Sequence, residues 1–136
     1  MKKKAVLNNN AVCQTRMTAI KDTMEILSGK WKFHILGTLI RGEKLRFMDL
    51  LREIDGIGTK MLSKELQDLE MNHLVKRTVF NTKPVTVEYE ITEYGKTLSP
   101  IIEEIANWGI DYRNKLHKRS EVSNFIKENN ELQNSL

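Results

Sequence analysis

The chain has 136 residues, of which 22 are basic and 18 acidic, a formal net charge of +4 and a single Cys. That length supports one compact domain and leaves little room for two, and 40% hydrophobic with 29% charged residues is too apolar for a disordered chain. A lone Cys excludes an internal disulfide, and His34, His73 and His117 are too scattered for zinc-site spacing, so a reducing, cytoplasmic compartment is expected.

Residues 1–15 read as a mobile basic arm. Met1-Lys2-Lys3-Lys4 resembles the charged start of a signal peptide, but Ala5-Val6-Leu7 runs into Asn8-Asn9-Asn10, leaving no apolar stretch long enough for export. No segment is expected to span a membrane, and no membrane partner is expected. Order should begin near Arg16, and a domain over 16–119 should be followed by a polar C-terminal tail over 120–136.

From Thr18 the apolar residues Ile20, Met24 and Leu27 recur at helical spacing, and Ser28-Gly29 ends the run. A second helix follows, with Trp31, Ile35 and Leu39 on one stripe, Leu36 and Ile40 beside it, and Arg41-Gly42 in its last turn. After a short Lys44-Leu45-Arg46 segment, Phe47, Leu50, Leu51 and Ile54 outline a third helix that stops at Asp55-Gly56. A fourth starts at Gly58 or Thr59 and runs to Met71, with Leu62, Leu66 and Leu69 at i, i+4, i+7. Two helices joined by a short Gly-containing turn are the outline of a helix-turn-helix.

The period then becomes alternating. Leu74 to Phe80 is rich in β-branched and aromatic residues, and Val87, Tyr89 and Ile91 alternate with Thr86, Glu88 and Glu90. Asn81-Thr82-Lys83-Pro84 between them makes a hairpin with a basic tip. Thr92 offers a cap for a last long helix through Leu98, Ile102, Ile105 and Trp108, with Pro100 allowing a kink or a later start. The expected core includes Trp31, Leu36, Leu39, Leu62, Leu66, Leu69, Val87, Tyr89 and Ile91.

The predicted fold is mainly α with a small β-hairpin, a winged helix-turn-helix dimerised by its terminal helices. In that order of elements the fourth helix enters the major groove of DNA. At ~100° per residue, Leu62, Leu66 and Leu69 cluster on one side and Lys60, Ser63, Lys64 and Gln67 on the other, while Glu65 and Asp68 fall on the flank. Lys can contact guanine edges or phosphates, Gln can pair with adenine, and Ser or Thr can donate to either. The same residues on a helix taken alone are most often simply solvated; their place between the turn and the hairpin favours DNA. Net charges of +5, 0 and −1 over residues 1–56, 57–91 and 92–136 do not by themselves locate such a site. Arg77 and Lys83 could lie along a phosphate backbone, and Asn81 or Thr82 could reach the minor groove. Lys76 suits either a backbone contact or edge protection.

The sequence resembles the HxlR-type regulators, MarR-related winged-helix proteins, from Cys13 to about Trp108. The resemblance rests on Ser28-Gly29-Lys30-Trp31, Arg46-Phe47 with Leu50, Lys60-Met61-Leu62-Ser63 with Leu66 and Leu69-Glu70, Leu74-Val75 with Arg77, Pro84 with Val87-Glu88-Tyr89, Thr92 with Gly95, and Leu98 with Trp108. It implies a homodimer on a palindromic DNA operator, with transcription control and no obligatory cofactor. It makes Lys30 and Arg46 candidate backbone or structural contacts, and it implies a redox role for Cys13, set just before the first helix, against the alternative of simple packing. In two places the sequence departs from the family pattern: Gly58 stands where a capping Ser or Thr is usual, with Thr59 the substitute, and His73 stands where Gly is usual, leaving Asn72 to supply the left-handed exit.

Ile20, Met24, Ile102, Ile105 and Trp108 present more apolar surface than one small domain easily covers, and are expected at the dimer interface. No paired carboxylates, phosphate-cradling Gly loop or metal cluster points to an enzyme. A winged helix used for protein contact without DNA is the competing reading, and a helical dimer could also enclose a small-molecule effector pocket.

Overall fold

The computed structural model describes the backbone of residues 2–135 and the side chains from Asn9 to Ser135. In chain order the elements are α1 (Lys2–Leu27), α2 (Lys32–Gly42), β1 (Lys44–Arg46), α3 (Phe47–Glu53), α4 (Thr59–Met71), β2 (Val75–Phe80), β3 (Thr86–Ile91), α5 (Glu93–Lys96) and α6 (Ser99–Asn134). Two compact units result, Met1–Ser99 and Pro100–Leu136.

The first unit is built around one antiparallel sheet of order β1-β3-β2. Lys44, Leu45 and Arg46 pair with Glu90, Tyr89 and Glu88, and β2 pairs from Val75↔Ile91 to Phe80↔Thr86. Alternation puts Val75, Leu45, Tyr89 and Ile91 on one face of the sheet. Val75, Tyr89 and Ile91 are buried, as are Ile35, Leu36 and Leu39 of α2, Leu50 of α3 and Leu62, Leu66 and Leu69 of α4. Two expected core residues are only half-buried. Val87 lies opposite the exposed Val79 toward the tip of the hairpin, and Trp31 stands at the N-cap of α2, against Gly56 of the α3–α4 turn.

Two helices depart from the expected boundaries. α1 begins at Lys2 rather than near Arg16. Residues 2–15 contain no Gly or Pro and many good helix formers; what they lack is apolar periodicity, and from Asn9 to Ile26 every residue is exposed. Residues 120–134 of the expected polar tail likewise continue α6, which runs to Asn134. The boundaries expected at 15/16 and 119/120 therefore fall inside helices.

Thr92 caps not the long helix but the short α5, accepting a hydrogen bond from the Gly95 N–H (2.9 Å) and donating to the His73 carbonyl (2.7 Å). Pro100 has no N–H to continue a helix from α5, so the chain restarts at Ser99 with Pro100 in the first turn, where its missing donor costs nothing.

His73 itself supplies the left-handed exit of α4, with φ 60, while Asn72 has φ −91. Its N–H donates to the Glu70 carbonyl and that of Leu74 to Leu69, both at 3.0 Å, the pairing of a Schellman cap. A side chain at this φ is strained, so His73→Gly is expected to raise unfolding stability by about 1 kcal/mol. Urea melts of the two proteins check this.

Candidate nucleic-acid interface

α3 and α4 form the helix-turn-helix. The turn between them is anchored by buried Ile54 and Ile57, and Gly56 takes φ 88 there, a conformation that favours Gly. Leu62, Leu66 and Leu69 are 0–1% exposed, which fixes the opposite face of α4 toward solvent. Thr59, Lys60, Ser63, Lys64 and Gln67 all lie exposed there, so five of the expected residues are brought together on one helix. Gly58 is the N-cap of α4 with no side-chain cap bond, and Thr59 is the first helical residue rather than the cap.

Glu65 does not lie on a solvated flank. It is buried at 5% exposure, as is Lys32 of α2, and Lys32 Nζ stands 2.8 Å from Glu65 Oε2. The approach is too oblique for a hydrogen bond to that oxygen. The ammonium instead donates to the Ser28 carbonyl (3.2 Å) and to Asp68 Oδ2 (3.5 Å). Gly29, at φ 102, folds the α1–α2 turn close by, such that a Cβ there would stand 3.9 Å from Glu65 Oε2. Lys32 sits at i−4 and i−7 from Leu36 and Leu39, so a cation on the apolar stripe of α2 was the sequence signal for this pair.

The hairpin β2–β3 is the wing. Arg77 pairs in register with Tyr89 and shares the face of Val75 and Val79, but is itself exposed. Asn81, Thr82 and Lys83 occupy the exposed connection. The Thr82 hydroxyl is already engaged, 2.8 Å from the Pro84 carbonyl and 3.1 Å from Thr86 Oγ1. Lys76 faces the other way, 3.7 Å from Glu90 Oε1, while Lys44 lies 3.8 Å from Glu90 Oε2. A carboxylate on the central strand thus holds a cation on each neighbour, which favours the edge-protecting reading of Lys76.

The remaining candidates stand on other elements. Lys30 Nζ lies 4.7 Å from the Trp31 ring centroid, a cation–π contact. The Arg46 N–H donates to Asp49 Oδ2 (3.0 Å) at the start of α3, and its exposed side chain lies opposite Glu88 without forming an ion pair among the described residues. On α1, Ile20 and Met24 are 53% and 52% exposed; on α6, Ile105 and Trp108 are exposed, Ile102 is half-buried, and Trp108 stacks on Tyr112 with centroids 5.1 Å apart. Cys13 is exposed, and it lies inside α1 rather than before it. It falls on one stripe with Met17, Ile20 and Met24, at i, i+4, i+7 and i+11.

A helix-turn-helix followed by a two-stranded wing, on a three-stranded antiparallel sheet, defines a winged-helix transcription regulator. The family model for HxlR-like helix-turn-helix proteins matches residues 26–117, and the chain belongs to that family. It is similar to the uncharacterized HTH-type transcriptional regulator YtcD of Bacillus subtilis, 37% identical over 99 residues that make up 73% of this chain and 78% of the relative. The crystal structure of YtcD matches with a TM-score of 0.66 at 39% identity, covering 70% of this chain and 96% of that one. The redox regulator HypR in its reduced form matches with a TM-score of 0.68 at 35% identity, covering 74% and 98%. Among the described residues no helix is long and apolar enough to cross a membrane.

Proposed function

We propose that the chain acts as a cytoplasmic homodimer on a palindromic operator in double-stranded DNA, with α4 of each subunit in the major groove and the wing on the backbone or minor groove. The observation that carries this reading is the exposed face of α4. Thr59, Lys60, Ser63, Lys64 and Gln67 point to solvent, while Glu65, the carboxylate nearest the helix centre, is withdrawn to 5% exposure. A surface of donors with its central carboxylate hidden lowers the repulsion that phosphates would meet there. Arg77, Asn81 and Lys83 extend it along the wing, the exposed Arg46 side chain, unpaired among the described residues, is a further candidate for the DNA backbone, and Lys30 is held over the Trp31 ring. The two subunits join through Ile20 and Met24 of α1 and Ile102, Ile105 and Trp108 of α6.

Gln67 is suited to a bidentate contact with adenine. Gln67→Ala is expected to lose roughly 1–3 kcal/mol of discrimination at one base pair of the preferred site, with little change on unrelated DNA. Competition titrations with single-base variants of the site measure it. Equal weakening on every sequence would make Gln67 a backbone contact.

Cys13, on the same stripe as the proposed interface, makes the regulator responsive to oxidants, a reading supported by the likeness to the redox regulator HypR. With one Cys per chain, oxidation either joins two subunits or caps the thiol with a small thiol. Diamide is expected to lower operator affinity for the wild type and not for Cys13→Ser. Full affinity after oxidation, or the same response in the variant, returns Cys13 to packing.

A further inference from the structure

The apolar contacts that seat α4 are non-directional: Leu62, Leu66 and Leu69 define which side of the helix is inward but permit small rotations about its axis. Base readout is less forgiving. A rotation of about 20° moves a side-chain atom about 5–6 Å from the axis by about 2 Å, several times the ~0.5 Å tolerance of a recognition geometry. Contacts tied to particular side chains have to hold the angle.

We propose that Lys32 is a positioning residue of the recognition helix: by gripping Glu65 and Asp68 it fixes the rotation of α4 and keeps these two carboxylates turned away from DNA. The inference rests on α4 reading DNA. The ammonium is held from three sides, at 2.8 Å from Glu65 Oε2, 3.5 Å from Asp68 Oδ2 and 3.2 Å from the Ser28 carbonyl. Two of these partners lie on successive turns of one flank of α4, so the grip resists rotation in either sense. The third ties the grip to the α1–α2 turn. Burial makes it stiff, since the Lys32 and Glu65 side chains are each only 7% exposed, and turning Glu65 outward would strand a buried cation. Lys32 is 5% exposed, so on this reading it acts through α4 and not by touching a base or phosphate itself.

The test compares wild type, Lys32→Met, Lys32→Arg and Lys32→Met/Glu65→Met on two probes: the duplex that wild type retains best from a random-sequence pool, and a scrambled duplex of the same composition. The double variant removes both buried charges and keeps the volume filled, so it folds even where Lys32→Met does not. The ratio of the two dissociation constants is expected to fall by about tenfold in the Met variants, the size of one misplaced base-reading side chain, and to be kept in Lys32→Arg. The salt dependence on scrambled DNA should not change, because a buried ammonium releases no counterion from DNA. A folded double variant with the wild-type ratio would overturn the proposal, since a merely structural pair is replaceable by packing. So would a shallower salt slope, which would make Lys32 a phosphate contact. A wild type that prefers no duplex from the pool would instead overturn the DNA reading of α4.

Discussion

Leu66→Ala is expected to cost about 2–5 kcal/mol of unfolding free energy, the range for deleting a fully buried Leu side chain. Leu66 is 1% exposed, midway along α4, between Leu62 and Leu69 at 0%. α4 packs against α2 and β2, and a close-packed interior relaxes only partly over a cavity. Chemical denaturation measures the loss. A change below about 0.5 kcal/mol, the size typical of surface sites, would mean that α4 presents its other face to the core, and the basic face would then be turned inward.

Replacing Lys60, Lys64 and Lys83 together by Ala is expected to weaken binding to every duplex by on the order of 10²-fold or more near physiological salt. The plot of log affinity against log salt should flatten by roughly 0.9 for each phosphate that is no longer neutralised. All three are exposed, two on α4 and one in the connection of the wing, and none forms an ion pair among the described residues. Their charge is therefore free to replace counterions. Stability should barely move, because no buried side chain is removed. Binding that survives the triple replacement, with an unchanged salt slope, would favour a winged helix that contacts protein and not DNA.

The parts of this molecule that were legible in its sequence are those with a local period. The i, i+4, i+7 run of Leu62, Leu66 and Leu69 set the orientation of α4, and the alternation Val87, Tyr89, Ile91 set the inner face of β3. The helix-turn-helix, the hairpin and the basic face followed from those two patterns. What was not legible depends on partners distant in sequence or on backbone angles. Glu65 sits at the edge of its apolar stripe, and nothing local distinguishes a solvated carboxylate from one paired with Lys32 across two helices. His73 at φ 60 contradicts the local preference for Gly, and is held there by the cap of α4 and by the bond from Thr92 to its carbonyl. Residues 9–15 of α1 are all exposed, and the segment 2–15 has no apolar period from which a helix could be read.

Sequence-specific binding by α4 is tested most directly by titrating purified protein into labelled duplex DNA from upstream of its own gene, beside a scrambled duplex, at several salt concentrations. The expected result is a preference on the order of 10³-fold or more for the upstream duplex, with log affinity falling linearly in log salt on both. Equal affinity for the two duplexes, or binding indifferent to salt, would contradict it.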